Sequence, residues 1–268
     1  MIAPPELDVL SLPMPFETPR DINIPLRDEY GVPRSPRFKP LIEATSKGGL
    51  GSKAIISSPK TGRELHALSA GERRALLQFE FHPYVVDIRE QYPVIDDDKY
   101  IRAKLAGRRM LVWDRMTYDI VLTLALPPDF RLHYHGVSIK CSESELSKKD
   151  LARADRELEH FKQRVWTWQM LRDSDFPHQT DQNLHALWKW YFDCKSPMSH
   201  YDEAREFAIR LTSRSLKGSW KQIMLRHAAF YGKTPSYLNR LLAVAVGFGF
   251  LQIDHTQVMR YDFPLRLL

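Results

Sequence analysis

Apolar positions first take on a helical spacing at Leu68, in the stretch LSAGERRALLQFEF. Ser69 is a good N-cap, and Glu72, three residues on, completes the pattern of a capping box. Glu72 also shares a face with Leu76 and Phe79 at i, i+4 and i+7, which aims it toward the core. The pattern then changes to that of strands. Tyr84 to Val94 alternates Val86, Ile88 and Glu90 with Asp87, Arg89 and Gln91, the pattern of an edge strand with one wet face or of a strand whose last polar residues line a cleft. Asp96 to Met110 reads as a charged loop. Thr117 to Cys141 holds two apolar runs separated by Pro127-Pro128-Asp129, which predicts a β-hairpin with Asp119 opening one strand and Lys140 ending the other. Ser138 and Lys140 point to one side of that strand, Val137 and Ile139 to the other.

Beyond the hairpin, Ser142 to Trp166 reads as a loop and an amphipathic helix. Its apolar stripe is Leu151, Ala154, Leu158 and Phe161, and its wet face is Lys148, Lys149, Arg153, Arg156, Glu157 and Lys162. Trp166 to Leu171 is a strand, and Arg172 to Thr180 a polar exit. From about Asp181 the pattern is mostly helical, with a helix from Asp202 to Thr212, another from Ser215 to Phe230, and a third begun by Thr234 and Pro235. Phe250 to Ile253 and Gln257 to Tyr261 have the pattern of a closing hairpin across Asp254-His255-Thr256. The order of elements predicts an α/β unit with a mixed sheet at 46–178 and a winged-helix-like unit at 179–268. Residues 1–45, rich in proline, read as an extended arm that is either a disordered tail or lies along another subunit.

Composition narrows the class. The chain has 268 residues, 43% of them hydrophobic, enough for one large core or two smaller ones. Its longest apolar run, Leu241 to Leu251, is too short to span a bilayer, and MIAPPELDVL lacks the features of a signal peptide, so a cytoplasmic location without membrane attachment is expected. The 2 cysteines, Cys141 and Cys194, read as free thiols. A net charge of +6 suits a polyanionic partner.

The candidate chemistry follows from the helix and the hairpin. An acid on one strand and a lysine on its neighbour are either a partly buried ion pair or the core of a metal-dependent phosphodiester site. Glu72 is either a capping residue or a metal ligand beneath the sheet, and its core-facing position favours the ligand. His133 and His135 share a strand face but have no third ligand nearby in sequence. Nucleophile-elbow and phosphate-loop signatures are absent, which argues against ATP binding by the chain. A helix acid, a strand acid and a lysine on the next strand follow the order of restriction-type nucleases, usually written PD-(D/E)xK.

Three segments make the resemblance more specific: Lys60-Thr61-Gly62-Arg63, the run Val86-Asp87-Ile88-Arg89-Glu90-Gln91-Tyr92-Pro93, and Thr117-Tyr118-Asp119. They resemble TnsA, the endonuclease subunit of a heteromeric cut-and-paste DNA transposase, over a region that runs with gaps from about Pro40 to the C-terminus. The resemblance implies a restriction-endonuclease-like fold with a winged-helix C-terminal unit. It implies catalytic Glu72, Asp119 and Lys140, with Mg²⁺ (Mn²⁺ possible) held by Glu72, Asp119, Ser138 and the Ile139 carbonyl. It implies a sequence-nonspecific nuclease that nicks the 5′ ends of the transposon, beside a TnsB-type recombinase and a TnsC-type AAA+ regulator. From the residues themselves, Arg89 and Gln91 on the polar strand and Arg108 and Arg109 in the basic half of the charged loop are candidate DNA contacts. Ser138 departs from the pattern, since restriction-type enzymes place an acid there and TnsA a glutamine; Glu143 is close enough in sequence to compensate. This departure keeps an alternative in play, a degenerate nuclease scaffold that serves as a DNA-binding or assembly subunit. A free-standing repair or restriction nuclease is a third reading.

Overall fold

Two short strands, β1 (Ala54–Ser58) and β2 (Arg63–Ala67), pair antiparallel around a turn in which Gly62 takes a φ of 69°, a conformation that suits glycine. In this computed structural model, which describes residues 7–46, 52–94, 97–108, 116–143, 145–192 and 194–268, the hairpin feeds α1 (Ala70–Glu80) and then β3 (Val85–Val94). There follow α2 (Asp97–Leu105), β4 (Met116–Leu126), β5 (Arg131–Lys140), α3 (Lys148–Gln163) and β6 (Thr167–Arg172). Strands β3 to β6 form one sheet in sequence order. The β3/β4 and β4/β5 pairs are antiparallel and β5/β6 is parallel, so the sheet is mixed and the protein is α/β. A parallel step needs a crossover, which α3 supplies.

Each face of the sheet carries a different cover. Ala75, Leu76 and Phe79 of α1 pack against Ile88, Ile120, Leu122, Leu124 and Val137 on one face. Phe161 of α3 and Trp166 pack with Tyr92, Tyr118 and Val121 on the other. Gly136 makes this second layer possible: a Cβ there would lie 2.1 Å from Phe161 Cζ, so only glycine lets the ring rest on the strand.

The structure corrects the sequence reading in several places. Residues 97–105 form α2 and not a loop; no glycine or proline interrupts them, and Ala103 supplies a buried anchor. Arg108 follows that helix and is exposed, while Arg109 lies outside the described residues. β3 is an edge strand, yet neither face is wet, because the proline-rich arm covers it. Asp28 accepts hydrogen bonds from Arg89 Nη1 and Tyr92 Oη, both at 2.6 Å. The Ser35 amide donates to Asp87 and the Leu41 amide to the Gln91 carbonyl. The arm therefore lies along its own chain. Arg89 is 1% exposed and Gln91 3%, so both are removed from the candidate DNA contacts: their strand is roofed by the arm.

After β6 come α4 (His178–Tyr191), α5 (Tyr201–Thr212), α6 (Trp220–Tyr231) and α7 (Pro235–Gly247), which bring the described α-helices to seven. α7 is buried along most of its length, and Leu77 of α1 and Phe81 just after it reach into the same core. The closing hairpin differs from expectation. Ile253 bridges Leu267, with the Asp254 amide donating to the Arg266 carbonyl and the Leu268 amide to the Gln252 carbonyl. Gln257 to Tyr261 is drawn away because its backbone is satisfied elsewhere: Asn183 bonds both the Gln257 carbonyl and the Met259 amide, and the Tyr261 carbonyl accepts from Lys221 N. Among the described residues no helix is long and apolar enough to cross a membrane.

Candidate functional site

Asp119 lies near the start of β4, one position before the register pair Ile120–Val137, and so faces the C-terminal end of β5. Its Oδ2 accepts from Ser138 Oγ and from the Ile139 amide, each at 3.0 Å. The carboxylate is 13% exposed and its orientation is set from the neighbouring strand. Ser138, itself buried, thus acts on Asp119 through its hydroxyl, and the group by which Ile139 meets the carboxylate is its amide.

Glu72 comes from the first turn of α1. Ser69 Oγ accepts from the Glu72 amide at 3.1 Å, and Glu72 Oε2 accepts from the Leu68 amide at 2.9 Å, so Ser69 caps the helix while the Glu72 carboxyl reaches one residue past the cap and leaves the capping box open. The same carboxyl is half-buried and feels the charge of Asp119. Burial first, then the Asp119 charge, push its pKa up to about 7, against hydrogen bonds to Leu68 and Ser69 and the opposing charge of Arg153. A bond to the helix start and proximity to Asp119 are therefore both properties of one side chain. Gly71, next to it, allows the close approach of α1 to β5, since a Cβ there would meet Ile139 Cγ2 at 3.2 Å and Asp173 Cβ at 2.9 Å.

Lys140 follows on the same side of β5 as Ser138, and its Nζ is 3.1 Å from Asp150 Oδ1. Asp150 belongs to the first turn of α3, where it completes a capping box with Ser147. The hydrogen bond from Ser147 and then that from Lys140 hold its carboxyl down at about 2. Lys140 is thus aimed at the N-terminus of α3.

Sequence reasoning missed the third side of this site. Arg153 and Glu157, placed on the wet face of their helix, point inward. Arg153 Nη2 lies 3.2 Å from Asp119 Oδ1 and its Nε 2.6 Å from Glu157 Oε1. Glu157 is 1% exposed and its Oε2 accepts from Trp168 Nε1 at 3.1 Å. Burial raises the Glu157 pKa against the pull of Arg153. A usable signal was present: Asp150, Arg153, Glu157 and Phe161 follow a spacing of 3, 4 and 4, one helical face that ends on the most buried ring of the helix.

The segments that carried the resemblance have structural partners. Arg63 forks onto Glu90 and also donates to the Ile88 carbonyl, while Glu80 accepts from Ser58 and from the Lys60 amide. Lys60 Nζ donates to the Phe79 and His82 carbonyls. His133 and His135 both turn to Thr167 Oγ1, at 2.6 and 2.7 Å, and burial drops the His135 pKa to about 3. Glu143 is exposed, in the turn that follows β5.

Among the described residues no cluster of three or more histidine, cysteine, aspartate or glutamate side chains converges as a metal cage. Two carboxylates and a hydroxyl are nonetheless hard oxygen donors, and Mg²⁺ commonly binds through one or two carboxylates while keeping several waters. On donor chemistry, Glu72, Asp119 and Ser138 fit Mg²⁺ or Mn²⁺. No protein-family model and no curated protein matches this chain.

Proposed function

We propose that this chain is a metal-dependent DNA endonuclease, the 5′-end-nicking subunit of a heteromeric cut-and-paste transposase, with a restriction-endonuclease-like catalytic unit and a winged-helix-like C-terminal unit. The observation that supports it best is the Asp119 carboxylate, clamped by Ser138 and Ile139 at the end of β5, with Glu72 within reach of its charge and Lys140 on the same strand.

Glu72 and Asp119 would hold the cation, with Asp119 kept in one orientation by two donors from β5 and Glu72 by the start of α1. When bound, the cation polarises the scissile phosphate and lowers the pKa of an attacking water. Glu72 must give up its proton for this role, which its pKa of about 7 allows near neutral pH. Lys140 would orient the water or offset charge on the phosphorane, with Asp150 beside its ammonium. In-line attack would leave a 5′-phosphate. A TnsB-type recombinase would recognise the transposon ends, cut the 3′ ends and join them to the target, and a TnsC-type AAA+ regulator would contact the C-terminal unit. A nuclease that reads no sequence needs such gating.

The scaffold reading is favoured by one feature: Lys140 and Asp119 each already have an oppositely charged partner. One assay separates the two. Assembled with its recombinase on transposon-end DNA and supplied with Mg²⁺ or Mn²⁺, the wild-type chain is expected to yield 5′-strand nicks and Asp119→Ala none; equal nicking by both sinks the site assignment.

A further inference from the structure

Arg153 is tethered at one end and open at the other. Its Nε is held by Glu157 at 2.6 Å, and Glu157 is locked in turn by Trp168. Its Nη2 is shared between the Thr117 carbonyl and Asp119 Oδ1, both at 3.2 Å. The Arg153 side chain is 38% exposed, against 13% for Asp119 and 1% for Glu157. The inner end is therefore an anchor and the outer end a contact that solvent or a ligand can reach.

Two consequences follow from charge and shape. A divalent cation at Asp119 would stand beside the guanidinium, and in a partly buried site that repulsion is far stronger than in water. Cation and guanidinium thus compete for one carboxylate. A guanidinium is also a planar fork of donors that matches phosphate oxygens, and the half-exposed side chain of Arg153 brings that fork to the surface of the site.

We propose that Arg153 is a substrate-operated counterion: in the free protein it neutralises Asp119 and weakens cation binding, and a backbone phosphate of bound DNA draws its Nη groups away, so that DNA and cation bind cooperatively. The inference rests on the nuclease reading. Because coupling between two ligands is reciprocal, the cation also tightens DNA binding. Arg153 is here a positioning residue, and it supplies at the level of one side chain a reason for the free subunit to hold its cation poorly.

The test is Mn²⁺ binding to the full chain, followed by the signal of the free ion with and without a transposon-end duplex, with the duplex alone subtracted. Without DNA, Arg153→Gln is expected to bind Mn²⁺ about tenfold more tightly than wild type, within the usual range of such couplings. The gain on adding DNA should then be smaller in Arg153→Gln than in wild type by about the same factor. Arg153→Lys keeps the charge without the fork, so it should keep the weak DNA-free binding and lose part of the DNA response; it decides the matter if Arg153→Gln does not fold. Equal or weaker DNA-free binding by Arg153→Gln, or an undiminished DNA response in both variants, overturns the proposal. Asp119→Asn tells the two failures apart. If it loses Mn²⁺ while the Arg153 variants behave as wild type, the site stands and only the counterion role falls. If it binds Mn²⁺ as wild type does, the site reading falls and takes the counterion role with it.

Discussion

Glu72 does two jobs that are usually given to different residues. As the acidic partner of the Ser69 cap it begins α1, and as a half-buried carboxyl facing Asp119 it holds its proton to about pH 7. Its effect on stability has a definite sign. The folded pKa lies above the ordinary glutamate value of 4.5, so between these values the native state binds more protons than the unfolded one. Unfolding free energy contributed by this group therefore falls as pH rises from about 4.5 to about 7 and stays at its lower level above. Glu72→Gln keeps an acceptor oxygen and removes the titration. Urea denaturation at pH 5 and pH 8 should show a smaller loss of stability with pH in Glu72→Gln than in wild type; parallel losses would remove the Asp119 charge and burial as the cause. The hydroxyl of Ser138 carries a similar lesson. As a metal ligand it is a poor substitute for an acid, but as a donor to Asp119 it has a clear task.

At the level of elements, the site depends on how closely α1 and α3 approach β5. Gly71 and Gly136 set those distances from opposite faces of the strand. Gly136→Ala forces its methyl into the Phe161 ring, and overpacking of this kind costs about 1–3 kcal/mol. The expected outcome is a lower midpoint in thermal unfolding, because α3 must lift from the strand to make room. An unchanged midpoint would mean that the helix moves aside freely. α3 also shows why hydrophobic pattern alone misassigned a face. The exposed Leu151 lies outside the buried stripe, while Glu157 is inside it, paired and hydrogen-bonded. A buried charge with its partners in place is tolerated, and in the sequence only its place on the Phe161 face of the helix marks it.

For the molecule as a whole, the arm decides what the edge of the sheet can be. It seals β3 through Asp28, which receives both Arg89 and Tyr92, and it reaches on to Thr18, bonded to Phe248 and Pro83. Asp28→Ala would leave the Arg89 guanidinium buried and without its closest carboxylate, a change that commonly costs about 3–5 kcal/mol. Denaturant unfolding should detect this. A cost below about 1 kcal/mol would place the pair in the class of weak surface bridges and make the arm a loose cover.

The sequence on its own carried the helix that begins at Ser69, the hairpin that presents Asp119 and Lys140, the parallel return through α3 and the mixed α/β sheet, because those follow from caps, turns and side-chain periods that act over a few residues. It also contained the residues that resemble a nuclease signature, although Arg63, Arg89 and Glu90 of that signature turn out to bind one another's elements and the arm. Tertiary structure alone decided that Arg153 and Glu157 face Asp119, that the arm buries Arg89 and Gln91, and that Ile253 pairs with Leu267. The physical reason is common to all three. A charged or polar group goes where its hydrogen bonds are completed, and here the completing partners stand 34, 61 and 14 residues away, beyond any local pattern.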